Sequence, residues 1–327
     1  MLDRRQVLKL VAGSALAPTI APLSAMAQEA FPNRTITIIV PFAPGQAGDL
    51  MARLVADQLG KMWNVPVIID NKGGSGGTIG TKASIAAPND GYTWLQGSSG
   101  PLSIAPNLYK NVGYDPRTDF TALMNVAGVA QVLTVSADSK YKTMQDLVAA
   151  AKASPGMLNY GSGGAGSTQH LTMELFKQRA GIDIVHVPYK GSGPAMADLY
   201  GGRIDALFDS QPGVMGAIQA GKARALAVST TMRAPGLPDV PTVAEAYPGF
   251  DVLGWLGLVA PKGVSPTIAA KIETDLKKVI ALDEVKARFA SLGMIVVGTT
   301  GAAFQTYIDS ETTKWGDVIR AGKISVE

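Results

Sequence analysis

Twice in this chain a run of apolar and β-branched residues stops at a glycine-rich loop that opens into a helix pattern. The first run is Thr35-Ile36-Thr37-Ile38-Ile39-Val40, ended by Pro41. A loop through Gly48 follows, then a helix over 49–61 with Leu50, Leu54 and Leu59 on its apolar face and Asp49 at its start. The second is Leu158-Asn159-Tyr160, then Gly161-Ser162-Gly163-Gly164-Ala165-Gly166, then a helix over about 167–180. Strand, loop and helix in this order predict an α/β fold with parallel strands. A helix start carries unpaired N–H groups and partial positive charge. Glycine lets a backbone approach a ligand closely. Two such starts can hold an anion without arginine, and a carboxylate suits them because it accepts several N–H bonds. Either loop can equally be a plain turn from strand to helix.

The alternation continues. Strand patterns fall at 65–69, 92–96, 129–136, 184–187, 205–209 and 223–229. Helix patterns follow the glycine-rich stretch 71–80 and cover 143–153, 193–201, 266–281 and 302–320. Prolines at 235, 238, 241 and 248 mark a long loop. The echo of the strand–loop–helix unit near 36–60 and 157–180 predicts two α/β lobes of similar plan facing one another across a cleft. The chain has 37 glycines in 327 residues, well above the average of about 7%.

Residues 1–27 have the order of an export signal: Arg4-Arg5 with Leu8-Lys9, a modestly apolar stretch interrupted by Gly13, Ser14 and Pro18, then Ala25-Met26-Ala27 as a cleavage site. The Arg-Arg pair resembles the twin-arginine pattern, with Asp3 and Val7 departing from it; a general secretory signal is the alternative. Cleavage after Ala27 would leave 26 basic and 25 acidic residues. Near-neutral charge argues against nucleic acid as a partner. The chain has no cysteine, which excludes disulfides and thiol catalysis, and its two histidines leave little for a metal site. No cofactor and no metal are expected.

Several motifs compete. Gly161-x-Gly163-x-x-Gly166 matches the dinucleotide fingerprint in form, but Asp183, about twenty residues on, begins the next strand rather than ending it. Gly73-x-Ser75-x-Gly77 matches a nucleophile elbow in form, but Asp70-Asn71-Lys72 separates Ser75 from its strand. An exported serine hydrolase using Ser75 is the enzymatic alternative. Neither glycine loop is followed by a Walker lysine. His170 is read first as a structural residue bonded to loop backbone and second as a ligand contact, and His186 as structural. Lys190 is either a partner for an anion or a solvated loop residue. Asp205 and Asp209 share a strand face, and Asp209 with Ser210 could line a cleft. Phe304, Tyr307 and Trp315 are expected in the core.

The chain resembles the Bug family of extracytoplasmic solute receptors, the binding components of tripartite tricarboxylate transporters, over essentially its mature length. The matching blocks are Val40-Pro41-Phe42-Ala43-Pro44-Gly45 with Asp49 and Ala52-Arg53, Asn71-Lys72-Gly73, Gly76-Gly77-Thr78-Ile79-Gly80, Asp90-Gly91-Tyr92-Thr93, Tyr114-Asp115-Pro116, and Asp119-Phe120. They continue with the second glycine loop, His186-Val187-Pro188-Tyr189-Lys190-Gly191, residues 221–228 and Leu237-Pro238-Asp239-Val240-Pro241-Thr242. Gln46 departs from the family, which usually repeats glycine there. The resemblance implies a type II periplasmic binding protein fold, with residues 28–128 and 230–327 in lobe 1, 129–229 in lobe 2, and two hinge strands near 129–136 and 223–229. It implies a periplasmic, monomeric receptor that closes over a small organic carboxylate and hands it to the membrane components of such a transporter; a ligand sensor for a regulatory system is an alternative. Ligand contacts are expected from Phe42, Ala43, Gly45, Gln46, Ser98 and Ser99 of the first lobe. Ser162, Gly163, Gly164, Ser167, Thr168, Gln169 and Asp209 would supply the second, with His170 and Lys190 as further candidates.

Overall fold

The computed structural model describes residues 31–326, so the export signal expected over residues 1–27 lies outside the described residues. No described helix is long and apolar enough to cross a membrane.

In the first half, β1 (Ile36–Val40) runs parallel to β2 (Val67–Asn71) on one side and β3 (Thr93–Ser98) on the other. Helix α1 (Ala47–Trp63) leaves the first glycine loop and α2 (Thr78–Ile85) leaves the Gly73–Gly77 stretch. A π turn over Gly100–Ile104 and a short α3 (Ala105–Leu108) follow β3. Then comes β4 (Phe120–Ser136), a 17-residue strand apolar on both faces and buried nearly throughout. In the second half, α4 (Met144–Ala153) opens on a Thr143–Asp146 capping box. Next are β5 (Asn159–Ser162), α5 (Thr168–Ala180), β6 (Val185–Pro188), α6 (Ser192–Tyr200), β7 (Ala206–Ser210), α7 (Gln211–Gln219) and β8 (Ala223–Val228). The chain ends with β9 (Leu253–Pro261), α8 (Pro266–Ala281), α9 (Asp283–Ser291), β10 (Met294–Thr300) and α10 (Gly301–Gly322).

The strand order is β2-β1-β3-β9-β4-β7-β5-β6, with β8 and β10 also paired to β4. The sheet is mixed rather than parallel. Its outer parts, β2-β1-β3 and β7-β5-β6, are parallel; every pairing of β4, and that of β3 with β9, is antiparallel. The departure comes from β4, which runs antiparallel to β7 and β8 as well as to β9 and β10, and sequence patterning does not predict β9 and β10. Gly254, Gly257 and Gly298 dilute their apolar pattern. The glycines are there for packing: a Cβ on Gly257 would strike the Phe304 ring, and one on Gly254 would stand 3.0 Å from the Gln131 amide.

β4 serves both halves. Up to Ala130 it pairs with β9 and β10, and from Gln131 onward with β7 and β8. The return path runs beside it: Ser229 donates its N–H to Gln131 O at 2.8 Å, and Val252 donates to Ser229 O at 2.9 Å. The resemblance implies 230–252 in the first lobe. In the structure Val243, Phe250 and Val252 instead pack with Phe176 and Phe208 of the second half, and Val228 bridges Thr242. Apolar burial decides this placement, because a Phe or Val side chain fully removed from water contributes about 1.5–3 kcal/mol. Helix α10 spans both halves, with Phe304 and Ile308 in a first-half cluster and Trp315 and Ile319 in a second-half one.

Candidate functional site

A cleft between the halves narrows to a cavity of about 50 Å³. Among the described residues, three helix starts border it. Gln46, Ala47 and Gly48 begin α1, Thr168 and Gln169 begin α5, and Ser210 precedes α7. Gln46 and Ser210 stand at their helices' N-caps without making a capping hydrogen bond. First-turn N–H groups there lack an intrahelical acceptor and their dipoles add positive potential. Phe42 and Ser98 add the first half's wall, and Val129, Gln131, Gly254, Trp255 and Leu256 form the floor where the halves join.

Four of these lining residues hold a buried polar atom with no protein partner: Gln46 Nε2, Ser98 Oγ, Gln131 Oε1 and Trp255 Nε1. A buried donor left unpaired costs roughly 1–3 kcal/mol. Such groups gathered at one cavity fit a polar guest that completes them.

The first loop is held from below by Asp49, which is 1% exposed. It accepts from Gly45 N at 2.8 Å, Arg53 Nε at 2.9 Å and Asn71 Nδ2 at 2.9 Å. Burial pushes its carboxyl up, but these hydrogen bonds and the Arg53 charge outweigh it and hold the pKa below the usual carboxylate range. The second loop rests on a stack of rings. His170 and His186 lie 4.0 Å apart between centroids, and Tyr160 stacks on His186 at 4.9 Å. His186 Nε2 bonds Ser162 Oγ at 2.7 Å, and His170 Nδ1 accepts from Gly166 N at 3.2 Å. Burial, with the Lys177 charge, lowers His170 to about 4. Burial, then His170 and Lys177, lowers His186 to about 3 against the opposing pull of Glu174. Both rings are therefore neutral at neutral pH, which leaves His170 Nδ1 a lone pair to accept the Gly166 N–H.

The expected residues divide accordingly. Phe42, Gln46, Ser98, Thr168 and Gln169 line the inner cavity. Ala43, Gly163 and Lys190 line a larger outer chamber of about 440 Å³, which Phe42 and Gln46 also border. The remaining residues line neither chamber. The Gly45 N–H is spent on Asp49, and Ser99 Oγ accepts from Trp255 N at 3.3 Å. Ser162 and His170 hold the second loop, Ser167 caps α5, and a Cβ on Gly164 would stand 3.4 Å from Gly76 N. Asp209 is buried and accepts from Gln169 Nε2 at 3.1 Å and Ser210 N at 2.7 Å, which orients Gln169 beside the cavity. Burial drives the Asp209 pKa up, against hydrogen bonds from Ser192, Gln169 and Ser210. Sequence reasoning missed Gln131 and Trp255. A glutamine in the apolar run Val129-Ala130-Gln131-Val132-Leu133 was the available signal; nothing local marks Trp255. Ser75 sits in a 3₁₀ turn, and the partners of both histidines are loop atoms of the second half, so neither serves it as a base.

A family model described as tripartite tricarboxylate transporter family receptor matches residues 51–324. The chain belongs to this family. It is 37% identical over 308 residues to protein BugT of Bordetella pertussis, covering 94% of each. Two solved receptors are similar throughout. A protein of R. palustris solved with adipate is 34% identical, with a TM-score of 0.87, over 90% of this chain and 99% of that one. MatC of Rhodopseudomonas palustris, solved with bound malate, is 30% identical with a TM-score of 0.83, over 88% of this chain and 100% of its own. The family consists of solute-binding receptors rather than enzymes, and the receptor described here has their two-part α/β architecture.

Proposed function

We propose that this receptor is exported to the periplasm and captures a small organic carboxylate between two closing lobes. As a monomer, it then delivers the ligand to the membrane components of a tripartite tricarboxylate-type transporter. One observation carries the reading: three helix starts and three residues with an unpaired buried donor, Gln46, Ser98 and Trp255, line one small cavity between the halves. Helix starts favour an anion. Gln46, Ser98 and Trp255 add donors, and no arginine or lysine lines the inner cavity. A carboxylate satisfies such a neutral donor set by accepting several bonds at once. Adipate and malate in two solved relatives support the ligand class. The lobes would hinge where β4 passes from Ala130 to Gln131 and where the chain returns at Val252–Leu253.

The test is calorimetry and thermal shift of the protein without residues 1–27, freed of bound ligand by unfolding and refolding. A panel of mono- and dicarboxylates is titrated, with neutral amides and sugars as controls. Saturable stabilisation by carboxylates alone is expected. Stabilisation by the neutral controls, or by nothing in the panel, would sink the proposal.

A further inference from the structure

We propose that Gln46 is a partition between two chambers and sets the length of ligand that the receptor accepts. This rests on the carboxylate-receptor reading. Among the described residues, Gln46 and Phe42 alone border both the inner cavity and the outer chamber. The Gln46 side chain crosses the gap between the halves and lies against Gly191. A Cβ on Gly191, whose φ is +104°, would stand 2.8 Å from Gln46 Nε2. Glycine at 191 thus gives the amide its place, and that amide is buried with no protein partner. The inner cavity holds about 50 Å³. By this measure one water needs about 10–15 Å³, so the cavity admits a group of a few heavy atoms, the size of a short carboxylic acid.

The outer chamber differs in chemistry. It is walled by the backbone of Gly73 to Gly77, by Tyr189 and by Lys190, which makes no ion pair among the described residues. With Gln46 in place, the receptor takes a short monocarboxylate and caps it with the amide. With glycine at 46, the chambers join, and a longer dicarboxylate places its second carboxylate beside Lys190.

Acetate, propionate, lactate, succinate and adipate are titrated by calorimetry into wild type, Gln46→Gly and Gln46→Gly/Lys190→Gln, with circular dichroism confirming the fold of each. Wild type is expected to prefer the short monocarboxylates over adipate by about tenfold or more. Gln46→Gly reverses that order, and the double variant gives back about tenfold of the adipate gain. A wild type that prefers adipate, or a Gln46→Gly variant whose preference ratio stays within about threefold, overturns the partition. An adipate gain that survives Lys190→Gln overturns the second-carboxylate site. Binding by no acid in any variant overturns the underlying carboxylate reading instead, and the partition falls with it.

Discussion

Gly76→Ala is the sharpest perturbation of the proposed lobe closure, because a Cβ on this glycine meets backbone of the other half. A Cβ there would stand 3.2 Å from Gly166 C and 3.3 Å from Ser167 N, and closer still to the carbonyl oxygen of Ala165. Backbone cannot rotate away as a side chain can, so the halves must part locally. Overpacking of this kind costs about 1–3 kcal/mol. If ligand binds only the closed form, that cost passes into affinity as a rise in Kd of roughly 5- to 150-fold. Gly76 also has φ of +62°, and alanine in the left-handed region costs about 1–2 kcal/mol. That second cost acts on open and closed forms alike, so it lowers Tm without touching Kd. Gly202 separates the two effects. Its φ is +67°, and a Cβ there has nothing within 4 Å. Gly202→Ala should lower Tm with Kd unchanged, whereas Gly76→Ala should lower Tm and raise Kd. Calorimetry with a carboxylate from the screen reads both, and small-angle scattering reads whether the ligand still compacts the molecule. A Gly76→Ala protein that binds within about twofold of Gly202→Ala would refute the argument that these loops must touch for capture.

Three further outcomes follow from the same geometry. Ser98→Ala should leave the ligand-free Tm unchanged or slightly raised, since its buried Oγ has no partner to lose, while weakening carboxylate binding by roughly ten- to a hundredfold, the worth of a hydrogen bond to a charged group; equal loss in both measurements would contradict this. The two histidines have folded pKa values near 4 and 3, below the unfolded value of 6.5; their contribution is therefore complete above about pH 6.5 and lost as pH falls toward 4, with the unfolded chain taking up as much as one extra proton per histidine, about 1.4 kcal/mol per pH unit each. Tm measured between pH 7 and 4.5 should fall on acidification, and a flat or rising profile would show that the rings are not held neutral. Asp209→Asn removes a buried carboxylate whose pKa is raised; its ionisation penalty exists only above the ordinary carboxylate range, so the variant should gain Tm relative to wild type at pH 8 more than at pH 4, and the reverse order would show a buried positive partner.

The local units were legible in the sequence. β1 with its loop and α1, and β5 with its loop and α5, are short-range patterns: a β-branched or apolar run, glycines, then 3.6-residue periodicity. That pattern, together with the run of family blocks, was enough to name two helix starts and the anion they suit. The inner lining was only partly legible. Thr168 and Gln169 follow from position at a helix start, and Ser98 from the end of a strand. Ser162, Ser167 and His170 bear the same sequence signature, yet their side chains hold the second loop from behind, because hydroxyl and imidazole groups near a glycine turn find loop backbone first. Whether a polar residue near a loop faces inward or backward depends on partners distant in the chain.

What the sequence determined by itself was therefore the repeated strand–loop–helix unit, the near-neutral balance and the donor-rich helix starts, since each depends on neighbours within a few residues. The tertiary structure alone decided three things. It set β4 as the strand common to both halves, against β9 and β10, whose glycines blur their apolar pattern but let Phe304 and Gln131 pack close. It carried residues 230–252 to the second half, because Phe250 and Val252 bury their apolar surface there. And it brought Gln46 against Gly191, 145 positions later in the chain. Contacts across such separations are selected by packing and burial of the whole chain, which no local pattern encodes.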